Sequence, residues 1–204
     1  MRIFAIGRNY AEHIKELNNE RPDEPVIFTK PDTALLRHNE PFYYPEFSKD
    51  IHHEVELVLK ISKEGKHIDP AFALNYIDSI GIGIDFTARD LQQKAKDKGL
   101  PWDIAKGFNG SAPISDTFFP LARFADLRNI SFKLEVNGQL RQQGNTSLML
   151  FPFEYIISYL SKFFTLKTGD LIFTGTPKGV AGVALGDKLM AYIEDEKLLE
   201  FEVR

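Results

Sequence analysis

The run His52-His53-Glu54-Val55-Glu56-Leu57-Val58-Leu59 constrains this chain more than any other stretch. Side chains alternate across a strand, so His52, Glu54 and Glu56 share one face while Val55, Leu57 and Leu59 share the other. The apolar face demands a core. The acidic face admits two readings: the wet side of an edge strand, or a pair of carboxylates gathered around a cation. Two glutamates held side by side repel, and each costs free energy if dehydrated alone.

A third carboxylate, Asp85, ends the apolar run Ile80-Gly81-Ile82-Gly83-Ile84. A turn or helix-capping role is the plainer one for an aspartate there. If the two strands are neighbours, however, Glu54, Glu56 and Asp85 converge on one ion. All-oxygen ligation suits a hard cation, Mg2+ or Mn2+, and Ca2+ less specifically. Three protein oxygens leave an octahedral ion with positions for water and substrate.

Other residues offer chemistry and carry plain alternatives. Lys106 stands in the apolar and aromatic segment LPWDIAKGF, where a buried lysine needs an anion; a snorkelling surface lysine is the alternative. His13 and Glu16 lie three apart on one helix face. They form either an exposed pair or a carboxylate-oriented imidazole of raised basicity that activates water. The loop Thr174-Gly175-Thr176-Pro177-Lys178-Gly179 supplies hydroxyls and amides for an anion, or is simply a tight turn. It lacks the glycine spacing of a phosphate-binding P-loop.

Composition removes several function classes. The chain contains no cysteine, which excludes disulfides, thiolate metal sites and a cysteine nucleophile. Its net charge of -4 is spread without a basic block, so nothing favours a nucleic-acid partner. No apolar stretch reaches the length of a membrane span, and the start does not read as a signal peptide. The expectation is a soluble cytoplasmic protein with no nucleic-acid or membrane partner.

Along the chain, residues 2–6 read as a strand and Tyr10–Leu17 as a helix with a capping-box-like start at Asn9 and Glu12. Val26–Lys30 is a strand closed by Pro31. Pro70–Ile77 reads as helical, and Ser79–Phe86 as a strand whose glycines signal close backbone approach. Thr87 is placed to cap a helix over Ala88–Lys98 that Gly99 ends. Ile130–Val136 and Gln139–Gln142 flank an Asn137-Gly138 hairpin turn. A helix opens at Ser147 or Pro152 and runs through Phe163. Leu171–Thr174 is a strand, followed by a glycine-rich loop and a terminal hairpin, Lys188–Ile193 with Leu198–Val203. The strands outnumber the helices without alternating with them. The fold class is therefore α+β, mostly β.

The order of these motifs resembles the fumarylacetoacetate hydrolase family across nearly the whole length. The matching stretches are IGRNYAEH at 6–13, FTKP at 28–31, HHEVELVL at 52–59, IGIDFTARDLQ at 82–92, KGLPWDIAKGF at 98–108, VNGQLRQQGNTSLM at 136–149 and GDLIFTGTPKGV at 169–180. The match is closest to the small acylpyruvase and oxaloacetate decarboxylase branch. It implies a mixed, twisted β-roll with short peripheral helices, spanning 1–204 as one catalytic domain. It also implies a homodimer with one divalent metal, Mg2+ or Mn2+, per subunit. The family's metal ligands fall on Glu54, Glu56 and Asp85. Its catalytic dyad falls on His13 and Glu16, within a possible lid over residues 1–25 or so. Its lysine falls on Lys106, and its other substrate contacts on Arg8, Gln92 and Thr176. The loop reads GVAG at 179–182 where many relatives have an unbroken GVG, which is expected to alter the pocket floor.

The implied chemistry is C–C cleavage of a small anionic keto acid through a pyruvate enolate: acylpyruvate hydrolysis, oxaloacetate decarboxylation, or both. Three carboxylates and a divalent ion count to about -1, which Lys106 and Arg8 offset. The alternatives are an isomerase or hydratase of 2-hydroxy-diene dioates, and a keto-acid-binding module without turnover.

Overall fold

Strand Val55–Ile61 carries the acidic motif and lies inside a sheet, not at its edge. The computed structural model describes residues 1–16 and 20–204. Among these, a mixed six-stranded sheet runs in the order Val26–Lys30, Ile3–Gly7, Leu171–Phe173, Val55–Ile61, Ile77–Ile84, Phe119–Pro120. Ile3–Gly7 and Leu171–Phe173 pair in parallel, and the other neighbours are antiparallel. A four-stranded antiparallel sheet is built from Gln139–Asn145, Ser131–Val136, Lys188–Ile193 and Glu196–Glu202. The fold is mostly β with a few short helices, as the strand-rich pattern predicts.

The two faces of Val55–Ile61 are buried differently. Leu57, Leu59 and Ile61 join the main core with Phe4, Ile6, Ile172 and the inward side chains of the second sheet. Val58, on the side of Glu54 and Glu56, packs in a smaller cluster with Ile3, Ala5, Ala34 and Phe173. The acidic face is thus the rim of a second apolar layer, and the wet-face reading fails.

Glycines let the neighbouring strand approach. Gly83 lies opposite Glu56 in the ladder, and a Cβ there would sit 2.7 Å from the Phe173 ring and 2.9 Å from the Pro113 carbonyl oxygen. The hairpin at Asn137-Gly138 has φ of +54° and +74° at its two central residues, the left-handed pair that type I′ turns require.

The structure corrects several local expectations. The motif strand is broken at Glu54: Ile51–His53 pairs with Thr87–Ala88 and with Ala181–Gly182, while Val55 onward belongs to the large sheet. Glu54 therefore occupies the corner where the chain changes sheets. Thr87 does not cap a helix. It is held in that small pairing, its hydroxyl turned back to the Asp85 carbonyl, and the helix begins at Arg89 and ends at Lys98. Asn9 forms no capping box; its amide donates to the Phe151 and Thr174 carbonyls and accepts from the Phe151 N–H. Pro70–Tyr76 is a 3-10 helix, and the Phe153–Phe163 helix follows Pro152, not Ser147. The first helix is described over Ala11–Glu16; Leu17, its expected end, and the 17–19 part of the expected lid lie outside the described residues.

Candidate active site

The two central strands bring the three carboxylates together. Val55–Ile61 and Ile77–Ile84 are antiparallel neighbours, and the Asp85 N–H donates to the Glu54 carbonyl at 2.8 Å. One carboxylate oxygen from each of Glu54, Glu56 and Asp85 lies within 4.8 Å of the others, and all three residues are buried. Each acid is supported differently. Glu54 accepts from Arg89 at 2.5 Å and from Lys106 at 2.9 Å. Asp85 accepts from Lys106 at 2.6 Å. Glu56 accepts from the Gly175 N–H at 2.6 Å.

These differences set the charge states. Burial opposes ionisation of Glu54, but Lys106, then Arg89 and His13, outweigh it and hold its carboxyl well below the usual range. Burial pushes Glu56 well above that range, and the neighbouring Asp85 and Glu54 push the same way. Lys106 is fully buried; burial draws its pKa down, but Asp85 and Glu54 carry it above the ordinary lysine value.

Two cations at the site were absent from the sequence reading. Arg89 lies in the FTARDLQ motif with nothing in its spacing to mark it; it reaches Glu54 and also donates to Gln92 Oε1 at 2.7 Å. Lys30 ends strand Val26–Lys30, fully enclosed, with Nζ 2.7 Å from Asp85 Oδ1. Its protons are directed at carbonyl and hydroxyl oxygens of Lys106 and Ser111. Asp85 Oδ1 consequently has a nearby charge but no aligned hydrogen bond among the described residues. The sequence signal was available: a lysine at the inner end of an apolar strand, fixed by Pro31.

Three carboxylates therefore face three cations, Lys30, Lys106 and Arg89. The three carboxylates and a divalent ion still count to about -1; Lys30 and Arg89 join Lys106 in offsetting that charge, so with these three cations the cluster carries a positive excess of about two. The residues fit such an ion. They supply hard oxygen donors, one of them an orphaned lone pair on Asp85, and among the described residues Glu56 has no cation bonded to it.

A cavity of about 30 Å3 opens on this cluster. Arg8, His13, Gln92, Lys106 and Thr176 line it together with the three acids, so the sequence-predicted residues other than Glu16 share one wall. Arg8 takes a left-handed backbone with φ of +59°. Phe28 and Trp102 form an aromatic side, with the Lys106 ammonium 5.0 Å from the Phe28 ring centroid. Glu16 stands behind His13, its carboxylate 3.3 Å from His13 Nδ1 and accepting from the Gly179 N–H at 3.0 Å. Glu16 raises the His13 pKa, as its place on the helix face predicts, but a larger effect opposes it. Burial lowers its pKa more than Glu54 and Glu16 raise it, so the ring is neutral near pH 7. The Ala181-Gly182 departure pairs with His53 and His52, away from the cavity wall.

The chain is similar to known proteins over nearly its whole length. The family model for the fumarylacetoacetate (FAA) hydrolase C-terminal region matches residues 2–204. Oxaloacetate tautomerase FAHD1, mitochondrial, of Mus musculus is 44% identical over 202 residues, covering 99% of this chain and 91% of its own. The mitochondrial oxaloacetate decarboxylase of Dictyostelium discoideum is 46% identical over 186 residues, 91% of this chain and 85% of its own. The crystal structure of fumarylpyruvate hydrolase from Pseudomonas aeruginosa with Mn2+ and pyruvate superposes with a TM-score of 0.94 at 35% identity, covering 100% of this chain and 89% of that one. No helix among the described residues is long and apolar enough to cross a membrane. The motif order, the fold and these relatives together make the chain a member of the fumarylacetoacetate hydrolase family and an enzyme of the hydrolase or lyase type.

Proposed function

We propose that this enzyme stabilises the enolate of a small 2-keto acid and thereby cleaves a C–C bond, in oxaloacetate by decarboxylation, in an acylpyruvate by hydrolysis, or in both. The observation that carries the reading is the buried Glu54, Glu56 and Asp85 cluster bridged by Lys106, opening on the cavity that His13 also lines. One Mg2+ or Mn2+ per subunit, held by those three acids, would supply Lewis acidity that favours an enolate oxygen over a keto oxygen. The Pseudomonas neighbour, with Mn2+ and pyruvate, supports both the ion and the keto-acid end.

The remaining work falls to the chain's own groups. Lys106 helps hold the Glu54 carboxyl low, bonds to Asp85 and presents a preorganised positive charge to a developing oxyanion. Arg8, Gln92 and Thr176 bind and orient the substrate. The positive excess at the site favours a dianion, which suits oxaloacetate. In decarboxylation CO2 departs from the enolate fragment and no nucleophile is needed. In hydrolysis His13, oriented by Glu16, accepts the proton of the water that attacks the distal carbonyl. The expected lid narrows to the helix Ala11–Glu16, whose His13 lines the cavity, because Ile3–Gly7 is a buried strand of the large sheet; the lid sits on a single catalytic domain of 1–204 that pairs as a homodimer.

A second reading is keto–enol tautomerisation of oxaloacetate, named for the mouse relative. It needs only a proton moved at the carbon between two carbonyls, and the neutral His13 beside the acidic cluster suits that role. An isomerase or hydratase of 2-hydroxy-diene dioates would use the same enolate logic without releasing pyruvate. The competence of this family argues against the non-catalytic module.

The test is turnover of oxaloacetate and acetylpyruvate with Mg2+ or Mn2+, scoring pyruvate, CO2 and enol decay separately. Glu54→Ala and Asp85→Ala should abolish every activity. Decay of the enol without CO2 or pyruvate selects tautomerisation. Undiminished turnover in either variant overturns the proposal.

A further inference from the structure

Gln142 projects from strand Gln139–Asn145 of the second sheet, almost wholly buried, and touches three segments that build the site. Its Oε1 accepts from the Val55 N–H at 3.0 Å and lies 2.9 Å from His53 Nδ1. Its Nε2 donates to the Pro177 carbonyl at 2.9 Å and to Thr176 Oγ1 at 2.8 Å. One side chain thus joins the acidic corner around Glu54 to the loop that carries Thr176.

The amide cannot be turned over. A backbone N–H only donates and a backbone carbonyl only accepts, so Val55 and Pro177 fix which end of Gln142 is oxygen. Two consequences follow by valence. His53 must present Nδ1–H to Oε1, because an amide oxygen accepts only. Thr176 Oγ1 must accept from Nε2, which leaves its single proton pointing away from Gln142. Thr176 lines the cavity with Glu54, Glu56, Asp85 and Lys106. The loop is held in reach because Gly179, at φ of +96°, presses against the Arg141 carbonyl where a Cβ would collide.

We propose that Gln142 is a positioning residue for the reaction: it fixes the donor polarity of Thr176, so that this hydroxyl donates to an anionic oxygen of bound substrate. Gln142 does not touch substrate itself. The inference rests on the keto-acid reading of the site and adds the origin of one hydrogen bond to the anion. A neutral glutamine is required. An ionised glutamate at 142 cannot donate, so in that form it would draw the Thr176 proton toward itself and turn the hydroxyl from donor to acceptor.

The test is oxalate affinity of the Mn2+-loaded enzyme by calorimetry in a double-mutant cycle. Gln142→Glu and Thr176→Val should each weaken oxalate binding roughly tenfold or more, as loss of a hydrogen bond to a charged group does. The double variant should be no weaker than Thr176→Val alone, and Thr176→Ser should retain near-native affinity. Gln142→Met, which neither donates nor accepts strongly, should fall between wild type and Gln142→Glu. Additive losses, or native affinity in Gln142→Glu, would overturn the role. Should the glutamate variant not fold, Gln142→Met must still weaken binding, with the loss absent in the Thr176→Val background.

A measurement on the wild type is independent of both substrate and variants. Nitrogen NMR of the His53 ring should show the neutral Nδ1–H tautomer. An Nε2–H tautomer would reverse the amide and overturn the proposal. If the wild type does not bind oxalate at all, the keto-acid reading fails while the tautomer result still judges the polarity relay.

Discussion

Glu54 and Asp85 share one ammonium group: Lys106 Nζ lies 2.9 Å from Glu54 Oε2 and 2.6 Å from Asp85 Oδ2. The two acids come from adjacent strands, so this lysine ties the strand-switching corner to the end of Ile77–Ile84. Removing it leaves buried carboxylates short of a partner. Lys106→Met is expected to cost about 3–5 kcal/mol of stability in chelator-treated protein, read by denaturant unfolding, and to abolish turnover. A variant of native stability would show that the two buried acids do not depend on this cation.

Lys30 gives a parallel prediction for a residue that reaches no substrate. Lys30→Met leaves the Lys106 and Ser111 carbonyls and Asp85 Oδ1 without their shared cation. A loss of about 3–5 kcal/mol is expected, together with weaker Mn2+ binding measured by calorimetry. Native Mn2+ affinity would separate Lys30 from the placement of Asp85.

Gly83 tests the close packing beneath the cluster. Gly83→Ala places a methyl against the Phe173 ring and the Pro113 carbonyl, directly opposite Glu56. Overpacking of this kind costs about 1–3 kcal/mol, and the unfolding midpoint should drop. Activity should fall as well, because the displaced strand carries Asp85. An unchanged midpoint would mean that the two strands separate easily.

His13 sets a pH dependence. Burial lowers its pKa below the ordinary imidazole value of about 6.5. The neutral ring is the base, so hydrolysis falls as pH drops through that lowered value, and the acid limb of kcat/KM should centre below about 6.5. A cation bound nearby shifts it further in the same direction. His13→Ala should harm acylpyruvate hydrolysis much more than oxaloacetate decarboxylation, measured on both substrates. Equal losses would remove the dyad from the hydrolytic step.

Much of this was legible in the chain because period and chemistry coincided. Alternation placed Glu54 and Glu56 on one face, and the glycines of Ile80–Ile84 announced the close strand that delivers Asp85. The Asn137-Gly138 turn and the terminal hairpin followed from local rules alone. What escaped depends on tertiary context. Nothing near Thr87 indicates that it pairs with His52, so a capping role looked reasonable. Lys30 and Gln142 reach the site from strands far away in sequence; the place of Lys30 at the end of an apolar strand signals burial but not its partner Asp85, and Gln142 stands in no pattern that declares its partners. The sign of the His13 shift turns on how deeply the helix Ala11–Glu16 packs, which spacing does not encode.

The most direct measurement is anomalous diffraction from crystals grown with Mn2+ and oxalate. The account predicts one Mn2+ peak bonded to an oxygen of each of Glu54, Glu56 and Asp85, with oxalate chelating it on the side lined by Lys106 and Thr176. A peak bound elsewhere, or oxalate seated away from this cavity, would contradict it.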